Sequence, residues 1–462
     1  MAIGNLSDEV LLNIFRYYLD ASPQLWPRLI HICRRWRHIV FASQQALHLR
    51  LFCTHGTPVQ KNLDHWPALP IVVHYGEAPA LNPPAPEDED DIMAALKHSD
   101  RVSSISLTVT SSLLERLSAV ERPFSELGDL VLLAGDRVPL TLPSAFRWGE
   151  RLRTLHLTGA AVPVLPELLS PSTGLVDLQL HNIPKDGYFS PAAFVNALSG
   201  TTQLRTLSLH FLSLAISKRR HFNIPPQSGG RAILPALTCL KYRGTSKYFD
   251  SLVARIDAPR LGDINIIFLH RPTMDASHLG RFINRIESQK SHCRGEIVST
   301  ERAISISFSQ PEAPSRLGLQ ISCKSLTQQL SYVARICSSL SSFLPSVEHL
   351  RISVTRLSSG QDDSDRRGWW ELIKPFGGTK WVHVAGDQST NIVLALHSAR
   401  YKAVLPALHK LCVREPEPRY APLQEAVVSF IHLRRLSGHI IGVEYARVRT
   451  NEQHETGITF VQ

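Results

Sequence analysis

Cysteine and histidine, the residue types that most often carry chemistry, occur throughout this chain without forming a catalytic or metal-binding pattern. Seven cysteines are present, and none belongs to a Cys-x-x-Cys pair. The sequence contains no nucleotide-binding phosphate loop, no Gly-x-Ser-x-Gly turn and no His-Glu-x-x-His motif. His31 and Cys33 are two residues apart in a helical pattern, so their side chains point in different directions. We therefore predict no catalytic residue, no metal site and no cofactor, and a hydrolase is the least supported class.

A recurring phrase, Leu-x-x-Leu-x-Leu, supplies positions at which this chain could bind another molecule. Clear copies begin at Leu152, Leu175, Leu204, Leu237 and Leu261, and weaker ones at Val102, Leu127, Val347 and Leu408. If each copy is a strand, its third, fifth and seventh residues face outward together. The basic and histidine residues at those positions are His156, His181, His210, Lys241, Arg243, His349, Arg351, Lys410 and Arg414.

This outward stripe predicts a binding face for an acidic or phosphorylated segment of a target protein, held by charge-assisted hydrogen bonds. The candidate target-binding residues are His156, His181, His210, Lys241, Arg243 and Arg351. The alternative is a solvated sheet face whose polar residues only contact water.

The phrase recurs at intervals of roughly 25 residues, which is typical of leucine-rich repeats with one strand in each repeat. Helical stretches such as 191–198 and 248–256 lie between the copies and would form an outer layer. The sequence therefore predicts an α/β fold with an irregular leucine-rich-repeat-like solenoid. A compact α/β domain with a parallel sheet would show the same alternation and is the alternative. Between 271 and 346 we place no repeat.

Two apolar stretches of helical periodicity precede the repeats. Ser7 is expected to cap the first helix, whose first turn carries Asp8 and Glu9 where the helix dipole favours negative charge. The second stretch, 25–40, is expected to form a short helix, a kink at Pro27 and a longer helix through Phe41. The pair is too small to close a core by itself, which indicates a docking surface for another protein.

Composition restricts the class of protein. The chain has 462 residues, of which 43% are hydrophobic and 19% are charged, and this describes a globular protein of two or more units. The net charge of +10 favours acidic partners. The net charge is the one feature that suggests a nucleic-acid binder. Since the sequence has no basic patch interleaved with aromatic residues, we do not expect a nucleic-acid partner. Unpaired cysteines, no signal-peptide pattern and no apolar run of about 20 residues predict an intracellular protein, cytoplasmic and/or nuclear, with no membrane partner.

Residues 6–40 resemble an F-box, in which a Leu-Pro start and an acidic residue precede an apolar helix and a later Val-Cys-Arg-x-Trp. The matching segments are Leu6-Ser7-Asp8-Glu9-Val10-Leu11, Ile14-Phe15 and Ile32-Cys33-Arg34-Arg35-Trp36. Ser7 stands in place of the usual proline, and Ile32 in place of the usual valine. Residues 46–58 also resemble the segment that follows the F-box in fungal proteins, so the resemblance covers about the first 75 residues.

The resemblance implies a non-catalytic substrate-recognition subunit of a cullin-type (SCF) ubiquitin ligase. Its three-helix F-box would dock on a Skp-type adaptor attached to a cullin scaffold, and the rest of the chain would bind a target protein. The implied adaptor-binding residues are Leu6, Val10, Leu11, Ile14, Phe15, Leu25, Leu29, Ile32, Cys33, Trp36 and Ile39. A leucine-rich scaffold or regulator that works outside any ligase is the alternative function.

These inferences predict three regions: an F-box at 1–50, a connecting segment at 51–98, and a leucine-rich-repeat-like substrate-recognition domain at 99–462. Within the connecting segment, 71–75 is expected to be a strand. The acidic run 87–91 is expected to begin a helix that continues through Leu96, since acidic residues suit the first turn.

Overall fold

The computed structural model describes residues 6–75, 85–117, 120, 122–135, 140–141, 148–162, 164–170, 172–212, 231–269, 277–289, 292–311, 315–355, 363–396, 404–414, 421–448 and 458–461. The chain divides into two compact units, Met1–Tyr188 and Phe189–Gln462. Each unit combines a largely parallel sheet with helices, and each is described by itself.

Three helices open the first unit: α1 (Asp8–Ala21), α2 (Trp26–Ile30) and α3 (Arg34–Ala42), with a short 3-10 turn at Pro23–Leu25. Ser7 caps α1 as expected, because its hydroxyl accepts a hydrogen bond from the backbone N–H of Val10 at 3.4 Å. Cys33 caps α3 through its sulfur, which accepts from the N–H of Trp36 at 3.5 Å. The break in the second stretch therefore lies at 31–33, and the expectation of a kink at Pro27 was wrong.

These helices form a core together with residues 47–69 of the same unit, in agreement with the expectation that they are too small to close one by themselves. The buried members of this N-terminal core are Leu11, Phe15, Leu19, Trp26, Leu29, Ile30, Ile39, Val40, Leu47, Leu49 and Leu69. Trp36 packs against Phe15 with ring centroids 4.7 Å apart, and Trp66 packs against Trp26 at 5.1 Å. Residues 47–69 supply the partner surface that the helices lack by themselves.

The first unit continues as a parallel sheet whose strands lie side by side in chain order. Its elements are β1 (Leu51–Cys53), α4 (Val59–His65), β2 (Ile71–Tyr75), α5 (Pro86–Leu96), β3 (Val102–Val109), α6 (Ser111–Leu117), β4 (Asp129–Ala134), β5 (Leu140–Thr141), β6 (Thr154–Thr158), β7 (Ala160–Ala161), α7 (Leu165–Leu169) and β8 (Asp177–Ile183). The pairings run β1–β2–β3–β4–β6–β8, and β5 pairs with β7 separately.

The expected strand at 71–75 and the expected helix through Leu96 are both present, as β2 and α5. However, β1 and β2 are the first members of the sheet. Within the described part of 51–98, these two strands therefore belong to the sheet of the first unit, and the division into three regions stays a prediction.

The second unit carries a longer sheet with helices along it. Its elements are α8 (Pro191–Leu198), β9 (Thr206–Phe211), β10 (Ala232–Ile233), β11 (Cys239–Gly244), α9 (Ser246–Val253), β12 (Ile256–Asp257), β13 (Asp263–Phe268), α10 (Ser277–Asn284), β14 (Arg294–Thr300), β15 (Ala303–Ser309), β16 (Arg316–Ser322), α11 (Leu326–Ser339), β17 (His349–Thr355), α12 (Asp363–Ile373), β18 (Trp381–Gly386), α13 (Ser389–Leu396), β19 (Lys410–Arg414), α14 (Ala421–Leu436), β20 (Gly442–Val448) and β21 (Ile458–Val461). The helices from α8 to α14 each pack on the next.

Strand order in the second unit is sequential except at one insertion. The pairings run β9–β11–β13, then β16–β15–β14, then β17–β18–β19–β20–β21. The inserted meander β14–β15–β16 is antiparallel, and it joins β13 and β17 through parallel pairs at its two sides. The meander lies within 271–346, the interval in which we placed no repeat. We predicted no repeat there because the three strands contain no copy of the phrase and show only an alternation of buried and partly exposed residues.

All nine copies of the phrase coincide with strands, and their leucines are buried. In most copies the first leucine ends a tight turn, as when the N–H of Leu204 donates to the carbonyl of Thr201 at 3.2 Å. The residue before a strand then donates to the preceding repeat, as Val176 does to the carbonyl of Arg153 at 2.8 Å. A doubly wound α/β sheet reverses its strand order at a switch point. The sequential order in both units is instead consistent with a repeat solenoid.

A buried histidine lies just before the meander and generates a pH prediction. His292 is fully buried, its Nε2 lies 2.8 Å from Oε1 of Gln289, and its Nδ1 has no partner among the described residues. Burial lowers the pKa of His292 to about 4. The unfolded chain, with a pKa near 6.5, therefore binds a proton that the folded chain excludes over this interval.

We expect the free energy of unfolding to fall by up to about 3 kcal/mol on this account as the pH drops from about 6.5 to about 4. Urea unfolding across this range should show a smaller acid loss for His292→Gln than for the wild type. His432, which is exposed on α14, provides the matched control: His432→Gln should keep the wild-type pH dependence. Identical slopes for wild type and His292→Gln would contradict the assignment.

Candidate functional site

The six predicted target-binding residues are divided between the two units. In the first unit, Nε2 of His156 lies 2.9 Å from Oδ2 of Asp177, and Gln179 donates to the same carboxylate at 3.0 Å. His156 is half-buried and already engaged by an acidic neighbour, and His181, also half-buried, lies beside Thr158 on the next strand. This face of the first unit is therefore poorly suited to attract an anion.

In the second unit, three of the predicted residues lie together on neighbouring strands. Arg243 on β11 pairs in register with His210 on β9, and Lys241 is two residues earlier on β11. Both cations are exposed, and neither has an ion-pair partner among the described residues. Arg351 lies on β17, five strands away, which is about 24 Å at the usual spacing of about 4.8 Å between strands.

Arg351 belongs to a cleft on the polar face of the second unit, which we call the Trp381 cleft. Its volume is about 520 Å³. The lining residues are Arg294, Gly295, Glu296, Ser307, Ser309, His349, Leu350, Arg351, Trp381, Val382, His383, Lys410, Cys412 and Glu444. The meander provides one side of this cleft, and β17 to β20 provide the floor and the other side.

Strand register arranges these side chains in two rows. The first row crosses the strands through Ser309, Arg294, His349, Trp381 and Lys410. The second row, two residues further along each strand, contains Ser307, Glu296, Arg351, His383, Cys412 and Glu444. Residues two apart on a strand share a face, so both rows line the cleft together.

Trp381 gives the first row an aromatic platform. Its side chain is 49% exposed, which is unusual for so large an apolar ring. The ring of His349 packs edge-on against it at 4.8 Å, and Nζ of Lys410 lies over it, 5.2 Å from the centroid. Neighbours on both adjacent strands therefore hold the indole in place while half of its surface stays open.

The charges of the cleft are only partly balanced. Nζ of Lys410 lies 2.6 Å from Oε1 of Glu444, and Nε of Arg351 lies 3.7 Å from Oε1 of Glu296. Arg294 is exposed and has no ion-pair or hydrogen-bond partner among the described side chains. The first row therefore presents one unpaired guanidinium, two strands from the exposed indole.

Two titratable groups in the second row, His383 and Cys412, are held in their neutral forms. The pKa of His383 is lowered by burial first and then by the positive charges of Arg351 and Arg414. Burial, followed by the charge of Glu444, raises the pKa of the Cys412 thiol. A protonated thiol is a poor nucleophile. The cleft thus offers hydrogen bonding, stacking and one free cation.

Sequence reasoning reached only part of this cleft. Arg351 was among the candidates, and His349 and Lys410 were among the outward-facing positions. Arg294 was missed because it lies in the meander, which has no phrase. Trp381 was missed because β18 lacks the first leucine, although its alternation Trp-Val-His-Val could have indicated a strand.

The predicted adaptor-binding residues divide into buried and exposed sets. The buried members are Leu11, Phe15, Leu29 and Ile39; the partly buried members are Leu6, Leu25 and Trp36. The exposed members are Val10, Ile14, Ile32 and Cys33. Val10 and Ile14 form one stripe of α1 together with Tyr17, which sequence reasoning left out, and these side chains are 43%, 46% and 83% exposed.

An ion pair fixes the two ends of the motif relative to each other. Nη2 of Arg35 on α3 lies 2.6 Å from Oδ1 of Asp8 and also donates to the carbonyl of Leu6 at 2.6 Å. Both side chains are substantially exposed, so the pair contributes little stability. It does connect the start of α3 to the start of α1 beside the exposed stripe.

Comparisons with known proteins add little to this description. No family model matches the chain, and no curated protein matches it. Among solved structures, the chain is similar to the leucine-rich repeat-containing protein LegL7 from Legionella pneumophila, with a TM-score of 0.30 and 12% identity over 84% of this chain and 98% of that one. This likeness is too weak to support a conclusion about function. The F-box resemblance therefore stands on the sequence motif alone.

Among the described residues, no group of three or more His, Cys, Asp or Glu side chains could hold a metal ion. Within the same part of the chain, no helix is long and apolar enough to cross a bilayer.

The division of α1 into two stripes predicts opposite outcomes for neighbouring substitutions. Leu11→Ala should leave a cavity in the N-terminal core and cost about 2–5 kcal/mol. Val10→Ala should change stability by no more than about 0.5 kcal/mol, because Val10 lies outside that core.

Amide hydrogen exchange of α1 in the intact chain measures this difference. Exchange should accelerate strongly in Leu11→Ala and remain near the wild-type rate in Val10→Ala. Equal acceleration in the two variants would contradict the burial pattern.

Proposed function

We propose that this chain is a non-catalytic protein-interaction receptor, the substrate-recognition subunit of a cullin-type ubiquitin ligase. In this proposal α1–α3 dock on a Skp-type adaptor attached to a cullin scaffold, and the sheet-bearing part of the chain binds a target protein. The proposed site of action is the cytoplasm and/or the nucleus. The observation that carries the proposal is the exposed apolar stripe of α1 within an F-box-like motif.

The stripe supports docking because nothing in the N-terminal fold requires it to be apolar. Leu11, Phe15 and Leu19 already face the core, so Val10, Ile14 and Tyr17 could be polar without loss of folding. Burying apolar side chains of this size in a complex contributes about 1.5–3 kcal/mol each. Covering the stripe would therefore contribute several kcal/mol of favourable binding free energy, which offsets the entropy that the two proteins lose on association.

A receptor of this kind needs no catalytic residue of its own. Its contribution is to hold the target close to the subunits that transfer ubiquitin, so that a bimolecular encounter becomes effectively intramolecular. The target would be acidic or phosphorylated, since Arg294, Lys241 and Arg243 are exposed cations with no ion-pair partner among the described residues.

A leucine-rich scaffold or regulator that acts outside any ligase is the second candidate function. It is favoured by the burial of Leu11, Phe15, Leu29 and Ile39, because these motif residues already have a structural role in the N-terminal core. A motif retained for folding alone would still show this burial. The two candidates differ in whether the exposed stripe binds an adaptor.

Replacing the stripe while sparing the core tests the docking proposal. Val10→Glu combined with Ile14→Glu in the full chain should weaken binding to a purified Skp-type adaptor by at least about tenfold, because two apolar contacts are replaced by buried charges. Binding is measured by biolayer interferometry, and exchange protection of α1 shows that the helix remains folded.

Val428→Glu is the matched control, since Val428 is a similarly exposed valine, 64% accessible, on α14 of the second unit. It should bind the adaptor like the wild type. Undiminished binding by the folded double variant would contradict docking through α1. Adaptor binding by the intact chain without recovery of cullin in the same complex would favour the scaffold function.

A further inference from the structure

The Trp381 cleft combines three features that together specify a ligand. Arg294 is an unpaired cation, and the indole of Trp381 is half-exposed. The third feature is that strand register places both residues in the first row, on either side of His349. We propose that this cleft binds a short polyproline II segment of a partner protein that carries a carboxylate and, three residues away, a proline or aromatic ring. This proposal rests on the proposed function at one point, which is that the partner protein is the target of the receptor.

The spacing of the first row carries the argument about conformation. Arg294 pairs with His349, and His349 pairs with Trp381, so the cation and the indole are two strands apart. At about 4.8 Å for each strand, this separation is about 10 Å. A polyproline II helix has three residues per turn and rises about 3.1 Å per residue, so side chains three apart share one face about 9.3 Å apart. A segment crossing the strands in this conformation therefore matches the row.

Charge decides what the anionic group is. Arg294 is the cation of the two rows that has no partner among the described residues, because Arg351 faces Glu296 and Lys410 faces Glu444. One carboxylate satisfies one free guanidinium through a charge-assisted pair of hydrogen bonds. A dianionic phosphoryl group held by Arg294 would lie close to Glu296, two residues away on the same face of β14, and the charge of Glu296 opposes the second negative charge. An acidic residue fits this cleft better than a phosphorylated residue or a nucleic acid.

The indole of Trp381 indicates that the second group of the ligand is a proline or aromatic ring. Its indole is fixed by His349 on one strand and by Lys410 on the other, yet half of its surface remains open. Proline-rich segments bind in grooves lined by aromatic side chains, and they lose little conformational entropy because polyproline II is already their preferred form. A proline or aromatic ring placed on the indole would bury this exposed apolar surface.

The neutral imidazole of His383 in the second row suits a short peptide that reaches into the cleft. His383 is surrounded by Arg351 on β17, by Cys412 and Arg414 on β19, and by Trp381 and Ala385 on its own strand. Burial and the two arginines keep its imidazole neutral, so it can both donate and accept a hydrogen bond. The backbone carbonyls of a polyproline II segment are unpaired and accept such bonds.

Fluorescence anisotropy with labelled peptides tests the proposal on the full chain. The probes contain Glu-Pro-Pro-Tyr or Tyr-Pro-Pro-Glu between Gly-Ser flanks, which covers both directions of binding. Comparison peptides replace the glutamate by glutamine, or shorten the spacing to Glu-Pro-Tyr and Tyr-Pro-Glu between the same flanks, so that no ring lies three residues from the glutamate. At least one probe should bind about tenfold more tightly than its glutamine and short-spacing counterparts, a difference expected for one charged hydrogen-bonded contact.

Variants locate the binding. Arg294→Gln and Trp381→Ala should each weaken binding of the preferred probe by about tenfold or more. The matched control, Arg260→Gln with Lys324→Gln, removes two exposed cations of the second unit that do not line the cleft and should leave affinity within about twofold. Loss of binding in the control, or unchanged binding in both cleft variants, would overturn the assignment of this cleft.

Two other ligands are included because the same residues could attract them. If a peptide with phosphoserine in place of glutamate, or a single-stranded oligouridine, binds more tightly than the glutamate probes, the commitment to an acidic polyproline II segment is wrong. Binding of no probe at any accessible concentration would also overturn it. These outcomes are independent of docking, since the Val10→Glu/Ile14→Glu variant should bind the preferred probe like the wild type even if adaptor binding fails.

Discussion

Pairing between successive strands is the constraint on which the rest of this structure depends. A single strand with one helix cannot cover its own leucines, so each repeat is stable only when its neighbours cover them. The residue before each strand donates to the carbonyl at the equivalent position of the preceding repeat, as Lys380 does to Glu348 and His409 does to Lys380, both at 2.9 Å. The polar side chains on the strands therefore lie in rows because the backbone register aligns them. This alignment does not depend on the interactions between those side chains.

The inserted meander shows how this constraint produces a site. If β13 paired directly with β17, Asp263 would lie beside His349. The meander instead places three antiparallel strands between them, and it preserves hydrogen bonding by offering a parallel partner to each side through β16 and β14. This brings Arg294 beside His349 and Glu296 beside Arg351. The charge pattern of the Trp381 cleft is thus a consequence of the insertion.

The sequence predicted the regular part of this fold and missed the part that carries the cleft. Buried leucines in the phrase identify strands because their spacing reflects both the turn before the strand and the alternation within it. The meander has only the alternation, and β1 is three residues long, so neither could be recognised by the phrase. In α1 the periodicity correctly indicated a helix, but Val10 and Leu11 belong to adjoining stripes of similar hydrophobicity. Which stripe is buried depends on contacts with residues 47–69, which local sequence does not reveal.

Net charge was a weak guide to the binding face for a related reason. The chain carries a net charge of +10, yet some cations on the polar face are opposed by a glutamate on the neighbouring strand, as Lys410 is by Glu444 and Arg351 is by Glu296. Cross-strand pairing therefore removes part of the attraction that composition implies, and the positions of unpaired cations such as Arg294 matter more than the total. Burial, followed by the positive charges of Arg351 and Arg414, lowers the pKa of His383 and so removes a further cation from this face. Selectivity on such a face arises from where a single unpaired charge lies relative to an exposed ring, and strand spacing fixes that distance.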